Sequence, residues 1–177
     1  MRITPPALPT QNPLLRGMVS YAVLWPSASI FQGYLQHQSW DIDWPRAARF
    51  GIFGAFIMVP MLHGWMSYSN RLFARKDLVT SLKRAVFEQV TVGPVVTANF
   101  FFTMSLLEFR PVEAALKEVR DKFWPTYRVG LFFWPIVQTV NFCLISEKNR
   151  LMFLSVASFV FTVFMAHVKT MKKDKQL

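Results

Sequence analysis

The chain is poor in charge. Of its 177 residues, 17% are Asp, Glu, Lys or Arg, against roughly 25% in an ordinary soluble domain. Acidic residues are the scarcest, ten against 20 Lys and Arg, for a net charge of +10. Cysteine occurs once, at Cys143. No disulfide can form within the chain, and a buried apolar thiol is the plainer reading over a redox sensor. None of the three histidines has a His or Cys partner at ligand spacing, and a metal site needs three or four ligands. A Walker A loop, a Gly-rich dinucleotide turn, a nucleophile elbow and paired interior carboxylates are all missing. Neither an enzyme nor a cofactor or metal is expected.

Hydrophobic residues make up 53% of the sequence and aromatics 16%, with 18 Phe. They fall in five runs without any Asp, Glu, Lys or Arg: 17–40, 50–70, 89–107, 129–146 and 151–168. A bilayer core of about 30 Å needs about 20 apolar residues of helix. A charge at its centre costs roughly 2.5–3.5 kcal/mol. Five such runs in so short a chain specify an integral membrane protein. Hydrocarbon admits only helices or closed barrels, and the alternation of barrel strands is absent from runs such as 151–161. The fold class is therefore all-α, a multi-span membrane helix bundle of four to five transmembrane helices plus one amphipathic interfacial helix.

Three segments are expected along the chain. Residues 1–16 hold Pro5, Pro6, Pro9 and Pro13, which reads as an extended arm. This arm lacks the apolar stretch of a secretory signal, so targeting by internal signals is expected. Residues 17–168 form one transmembrane domain, and 169–177 a frayed, lysine-rich tail. Within the domain, Gly51 and Gly54 share a helix face and allow close helix approach. The third run opens at Glu88 and Gln89 and is broken at Gly93 and Pro94. Residues 111–123 alternate charge sign and place Val112, Ala115, Leu116, Val119 and Phe123 at helical spacing, the amphipathic interfacial helix. The polar stretch 146–150 either turns a helix pair or kinks one long helix. Basic residues are similar in number on the two sides, so the positive-inside rule leaves orientation open.

Polar residues inside the runs are the candidates for chemistry. Gln138 and Asn141 lie three apart on one helix face, where they either bond to a partner helix or line a wet path. Glu88 either pairs with Arg84 one turn earlier at the interface or is a buried, ion-selecting carboxylate. The basic residues are spread over loops beside the spans, where anionic lipid headgroups are their partners. Direct nucleic-acid binding is not expected.

Trp134-Pro135-x-x-Gln138-x-x-Asn141-Phe142, with Arg150 eight residues beyond Phe142, resembles the C-terminal signature of the Mpv-seventeen / peroxisomal membrane protein family. Further matches follow in order: Arg46 and Arg49 before Gly51 and Gly54, then Pro60-x-x-His63-x-Trp65, then Glu88-Gln89 with Pro94. Phe123, Trp124, Thr126, Tyr127, Gly130 and Leu131 are most similar to the Mpv-seventeen-like subgroup. The chain departs from the family pattern at Val59, Met66, Glu88, Ser146, Phe161 and Phe164, and carries Ala28-Ser29 where a Gly-Asp pair is usual. The resemblance marks the matched residues as candidates for pore lining or helix packing. It implies a small multi-span protein of the mitochondrial inner membrane, or of the peroxisomal membrane in some members. It also implies a pore for small solutes or ions, linked to mitochondrial DNA maintenance and reactive oxygen species. A chain this small has few helices to enclose a pore, so a homo-oligomer is expected. The alternative is a non-conducting scaffold that organises a membrane-associated assembly through its basic loops.

Overall fold

Among the described residues, side-chain caps and turns set off five helices. The computed structural model describes residues 12–37, 40–73 and 77–174. Helix α1 spans Pro13–His37. Asn12 Oδ1 accepts the Leu14 N–H at 3.0 Å in front of it. Helix α2 runs over Trp44–Leu72, capped by Asp43, whose carboxylate accepts from the Arg46 N–H at 2.9 Å. Helix α3 spans Leu78–Leu107 and is capped in the same way by Asp77 through Thr80. Helix α4 spans Val112–Leu144. A 3₁₀ turn, Glu147–Asn149, leads into α5, Arg150–Asp174.

Neighbours in sequence pack antiparallel, which follows from connections only a few residues long. Helices α3 and α4 lie against each other over much of their length, and so do α1 and α5. Five alternating helices leave the first and last running the same way, and Gly17 near the start of α1 indeed meets Leu151 near the start of α5. The core between the two pairs is aromatic. Phe100 of α3 sits edge-on to Trp25, Phe50 and Phe53, with ring centroids 5.5–6.0 Å apart. Gly54 permits this: a Cβ there would lie 3.2 Å from the Trp25 ring.

Burial is inverted relative to a soluble protein. Val90, Phe132 and Ile136 are 65%, 80% and 68% exposed, whereas Gln138 and Asn141 are 4% and 0% exposed. In water such an arrangement would leave a large apolar surface unprotected; in lipid it is the expected one. Helices Trp44–Leu72, Leu78–Leu107 and the segment Glu147–Met165 are long and apolar enough to cross a bilayer. The protein is an all-α integral membrane protein.

Four expectations require correction, three of them through proline. The extended arm does not reach residue 16: α1 begins at Pro13, where a first-turn proline gives up an N–H that has no helical partner anyway. Residues 1–11 lie outside the described residues. Gly93 and Pro94 do not break the third helix, which passes through them; an internal proline is tolerated in a transmembrane helix. Residues 111–123 are not a separate helix. They are the first third of α4, which continues through Pro125 and Pro135 for a length of about 50 Å. Finally, α5 continues to Asp174, so the tail is helical over 169–174; 175–177 lie outside the described residues. Pro60 has a different effect. Residues Phe53–Met58 widen into a π-turn, and the Val59 N–H reaches back to the Gly54 carbonyl. Proline cannot donate and crowds the carbonyl four residues earlier, and a wider turn relieves both.

Candidate functional site

The antiparallel packing of α3 on α4 brings together residues far apart in sequence. The Glu88 carboxylate, buried in the bundle, accepts from the Trp65 indole N–H at 2.8 Å and from the Gln138 side-chain amide. Asn141 donates to Gln138 Oε1 at 3.0 Å. One helical turn towards the α2–α3 connection, Asn70 Oδ1 accepts from two guanidinium groups, Arg84 at 2.8 Å and Arg150 at 3.0 Å. Arg84 also reaches the Ser69 hydroxyl and lies 3.7 Å above the Phe142 ring. Arg150 covers the same ring at 5.4 Å and donates to the Phe142 carbonyl at 3.4 Å. Two like charges sharing one neutral acceptor and one aromatic face make a tight polar seal, held by cation–π attraction as well as hydrogen bonds.

Beyond this seal lies a cavity of about 520 Å³ to which all five helices contribute. Its floor is Glu88, Gln89 and Gln138, and its waist includes Val96, Phe100, Trp134 and Phe161. The opposite end is ringed with charge. Arg46 donates to Gln32 at 2.8 Å, and Arg49 stands 3.9 Å from Glu108. Arg110 pairs with Glu108 at 2.7 Å and with Glu118 at 3.3 Å, and Lys122 also pairs with Glu118. Partial burial opposes ionisation of Glu118, yet the Lys122 hydrogen bond and the positive charges of Lys122 and Arg110 hold its carboxyl below the ordinary range.

The arrangement separates the sequence candidates into groups. Trp65, Glu88, Gln138, Asn141, Phe142 and Arg150 converge at the floor and seal. Glu88 is buried rather than at the interface, and Arg84 makes its hydrogen bonds to Asn70 and Ser69. Gln138 bonds across to Glu88 on α3 and lines the cavity, whereas Asn141 bonds to Gln138 on its own helix. Gln89 and Trp134 line the wall, and Arg46 and Arg49 its mouth. Pro60, Pro94 and Pro135 act on the backbone. The Pro135 carbonyl accepts from the Thr139 hydroxyl at 2.7 Å. His63 is not on the cavity wall. Asn70, at the end of a charge-free run, carries no local signal, and Tyr127, whose hydroxyl donates to the Gln89 carbonyl at 2.7 Å, is marked only by the subgroup resemblance. Their roles depend on which helices become neighbours.

Comparison with known proteins agrees with this architecture. The model of the Mpv17 / PMP22 family matches residues 105–166, which include α4 and its packed polar face. An Mpv17-like protein of Xenopus laevis is 26% identical over 90% of this chain and 78% of its own length. Protein SYM1 of Saccharomyces cerevisiae is 25% identical over 90% and 80%. The mitochondrial inner membrane protein Mpv17 of Caenorhabditis elegans is 25% identical over 89% and 86%. No solved structure matches the chain. The name of the Caenorhabditis elegans relative places that protein in the mitochondrial inner membrane. In its C-terminal element and along nearly its whole length, the chain is similar to proteins of the Mpv17 / PMP22 family.

Proposed function

We propose that the chain is a non-enzymatic, channel-like pore for small solutes or ions that supports mitochondrial homeostasis. Mitochondrial DNA maintenance and reactive oxygen metabolism are the processes that its family likeness suggests. The observation that carries this reading is the cavity, with Glu88, Gln89 and Gln138 turned inward. Non-apolar side chains at membrane depth are tolerated where they border water or packed protein. In this reading all five helices span. Leu15, Val19 and Val23 form an outward apolar stripe on α1, as do Phe132, Ile136, Val140 and Leu144 on α4; the first third of α4 then projects beyond the bilayer. The seal of Arg84, Arg150 and Asn70 corresponds to a shut state. Anionic lipids contact the basic loops, and copies of the chain associate through the apolar stripes.

Purified protein in planar bilayers tests the proposal. Stepwise currents above those of bare lipid are expected, and Asn70→Leu, which removes the shared acceptor of the two guanidinium groups, increases the open fraction. Silence of both proteins at every voltage would refute conduction. It would favour the non-conducting scaffold, for which the closed seal is the supporting observation.

A further inference from the structure

Two buried N–H groups on residues of the cavity wall have no acceptor: Trp25 Nε1 and Arg49 Nε. Indole and guanidinium nitrogens only donate, so each can be completed only by an electron-rich atom, in practice an oxygen. Among the described residues, the buried acceptors that lack partners, such as Asn141 Oδ1 and Asn149 Oδ1, are not on residues of this wall. The unmet hydrogen-bonding demand on residues of this wall is therefore for acceptors.

Charge points the same way. The cavity lining carries four cations, Arg46, Arg49, Arg110 and Lys122, and four acids, Asp43, Glu88, Glu108 and Glu118. Their pairing is uneven. Glu118 is taken by Lys122 and Arg110, and Glu108 lies 2.7 Å from Arg110 but 3.9 Å from Arg49. Asp43 caps α2, and Glu88 is held at the floor by Trp65 and Gln138. Arg46 is left with the neutral Gln32 amide, and Arg49 with one long ion pair. One helical turn separates these two guanidinium groups. Phe50 joins them to the orphaned indole: its ring lies 5.8 Å from the Arg46 guanidinium carbon and 6.2 Å from the Trp25 ring. Towards the floor the wall turns aromatic and aliphatic.

We propose that Arg46, Arg49 and Trp25 form a binding site for the carboxylate or phosphate head of a small organic anion, whose apolar body fills the aromatic waist of the cavity. Charge-assisted hydrogen bonds from the guanidinium groups supply most of the affinity, and the indole N–H orients the head. The site deepens the reading of the cavity as solute-admitting and rests on it, but it does not require that the chain conduct.

The test uses the full chain in phosphatidylcholine nanodiscs at low ionic strength, followed by tryptophan fluorescence and by thermal midpoint. Inorganic phosphate, acetate, hexanoate and dihexanoyl phosphatidic acid are titrated separately. Saturable responses are expected, with hexanoate half-saturating at about a tenth of the acetate concentration because its additional methylenes leave water. Responses to phosphate and hexanoate identify a free solute; a response to the lipid analogue alone identifies a lipid headgroup. Arg49→Gln and Trp25→Phe each raise the half-saturating concentration about tenfold, a loss of about 1.4 kcal/mol, while Arg120→Gln, an exposed position outside the cavity, leaves it unchanged. Trp25→Phe keeps the ring packing and carries the test if Arg49→Gln fails to fold. No saturable response to any probe, or titration of both variants as wild type, overturns the proposal. Binding by a protein that is silent in bilayers would sustain this site and refute conduction, and conduction without binding would do the reverse.

Discussion

The Glu88 carboxylate and the Gln138 amide, fifty residues apart in sequence, are joined by a hydrogen bond at the floor of the cavity. With Trp65 as a second donor, the carboxylate is the acceptor on which α2, α3 and α4 converge. Glu88→Leu strands both donors, at roughly 1–3 kcal/mol for each buried orphan. Glu88→Gln retains one acceptor oxygen. Thermal unfolding in detergent should rank them wild type, then Gln, then Leu, and equal midpoints for all three would contradict the network.

Gly17 is predicted to be intolerant of even one methyl group. A Cβ there would lie 2.9 Å from both Cβ and Cδ1 of Leu151 and 3.1 Å from Val59. Leu151 is itself buried, so relief requires α1 and α5 to part. Overpacking of this kind costs about 1–3 kcal/mol. Gly17→Ala should lower the unfolding midpoint, and Gly17→Ala with Leu151→Ala should lose less than the sum of the two single losses, because the Cδ1 contact is gone. Additive losses in the double variant would argue against this contact.

Glu118 sets an acid limit on the mouth. Its carboxyl titrates below the ordinary value of 4.5 in the folded protein, because Lys122 and Arg110 favour the charged form. Both folded and unfolded states are ionised above that value, so its contribution is complete there. It is lost as pH falls through the folded value, where the bridges to Lys122 and Arg110 are protonated away. The midpoint difference between wild type and Glu118→Gln should be constant from pH 7 to 5 and shrink below pH 4.5. A difference that grows with acid would reverse the assignment.

Phe109 holds a left-handed backbone, φ 57°, at the position where a Schellman motif ordinarily places glycine. The motif is otherwise complete: the Phe109 N–H reaches Leu106 and the Arg110 N–H reaches Ser105. Its side chain is 96% exposed and gives the turn no internal packing. Phe109→Gly should raise the unfolding midpoint in detergent by the equivalent of about 1 kcal/mol. An unchanged or lower midpoint would mean that the ring contributes contacts outside the chain.

Much of this architecture is legible in the sequence because hydrocarbon imposes one strong rule, that charge stays out, and the charge-free runs mark each helix. Proline was the poorest guide. Pro94 looks like a break because in water its lost hydrogen bond would end a helix, but the helix runs through it, as transmembrane helices tolerate proline. The mouth and floor were partly legible: Glu88, Gln138 and Asn141 stand out as polar atoms in apolar surroundings. Spacing alone offers Glu88 as one possible partner for Arg84, whereas its bond to Asn70 depends on the approach of α2 to α3. Gly17 is a lone glycine without a pattern, and its constraint comes from Leu151, far along the chain.

The pairing of α1 with α5 has a consequence for biogenesis. Helix α1 has its main partner in α5, so it must wait in the bilayer until α5 has been translated. A polypeptide stopped before Arg150 would present an unclaimed flank, with Gly17 and Tyr21 facing lipid, to the quality-control proteases of the organelle. Nonsense changes late in the coding sequence should therefore reduce abundance as severely as early ones.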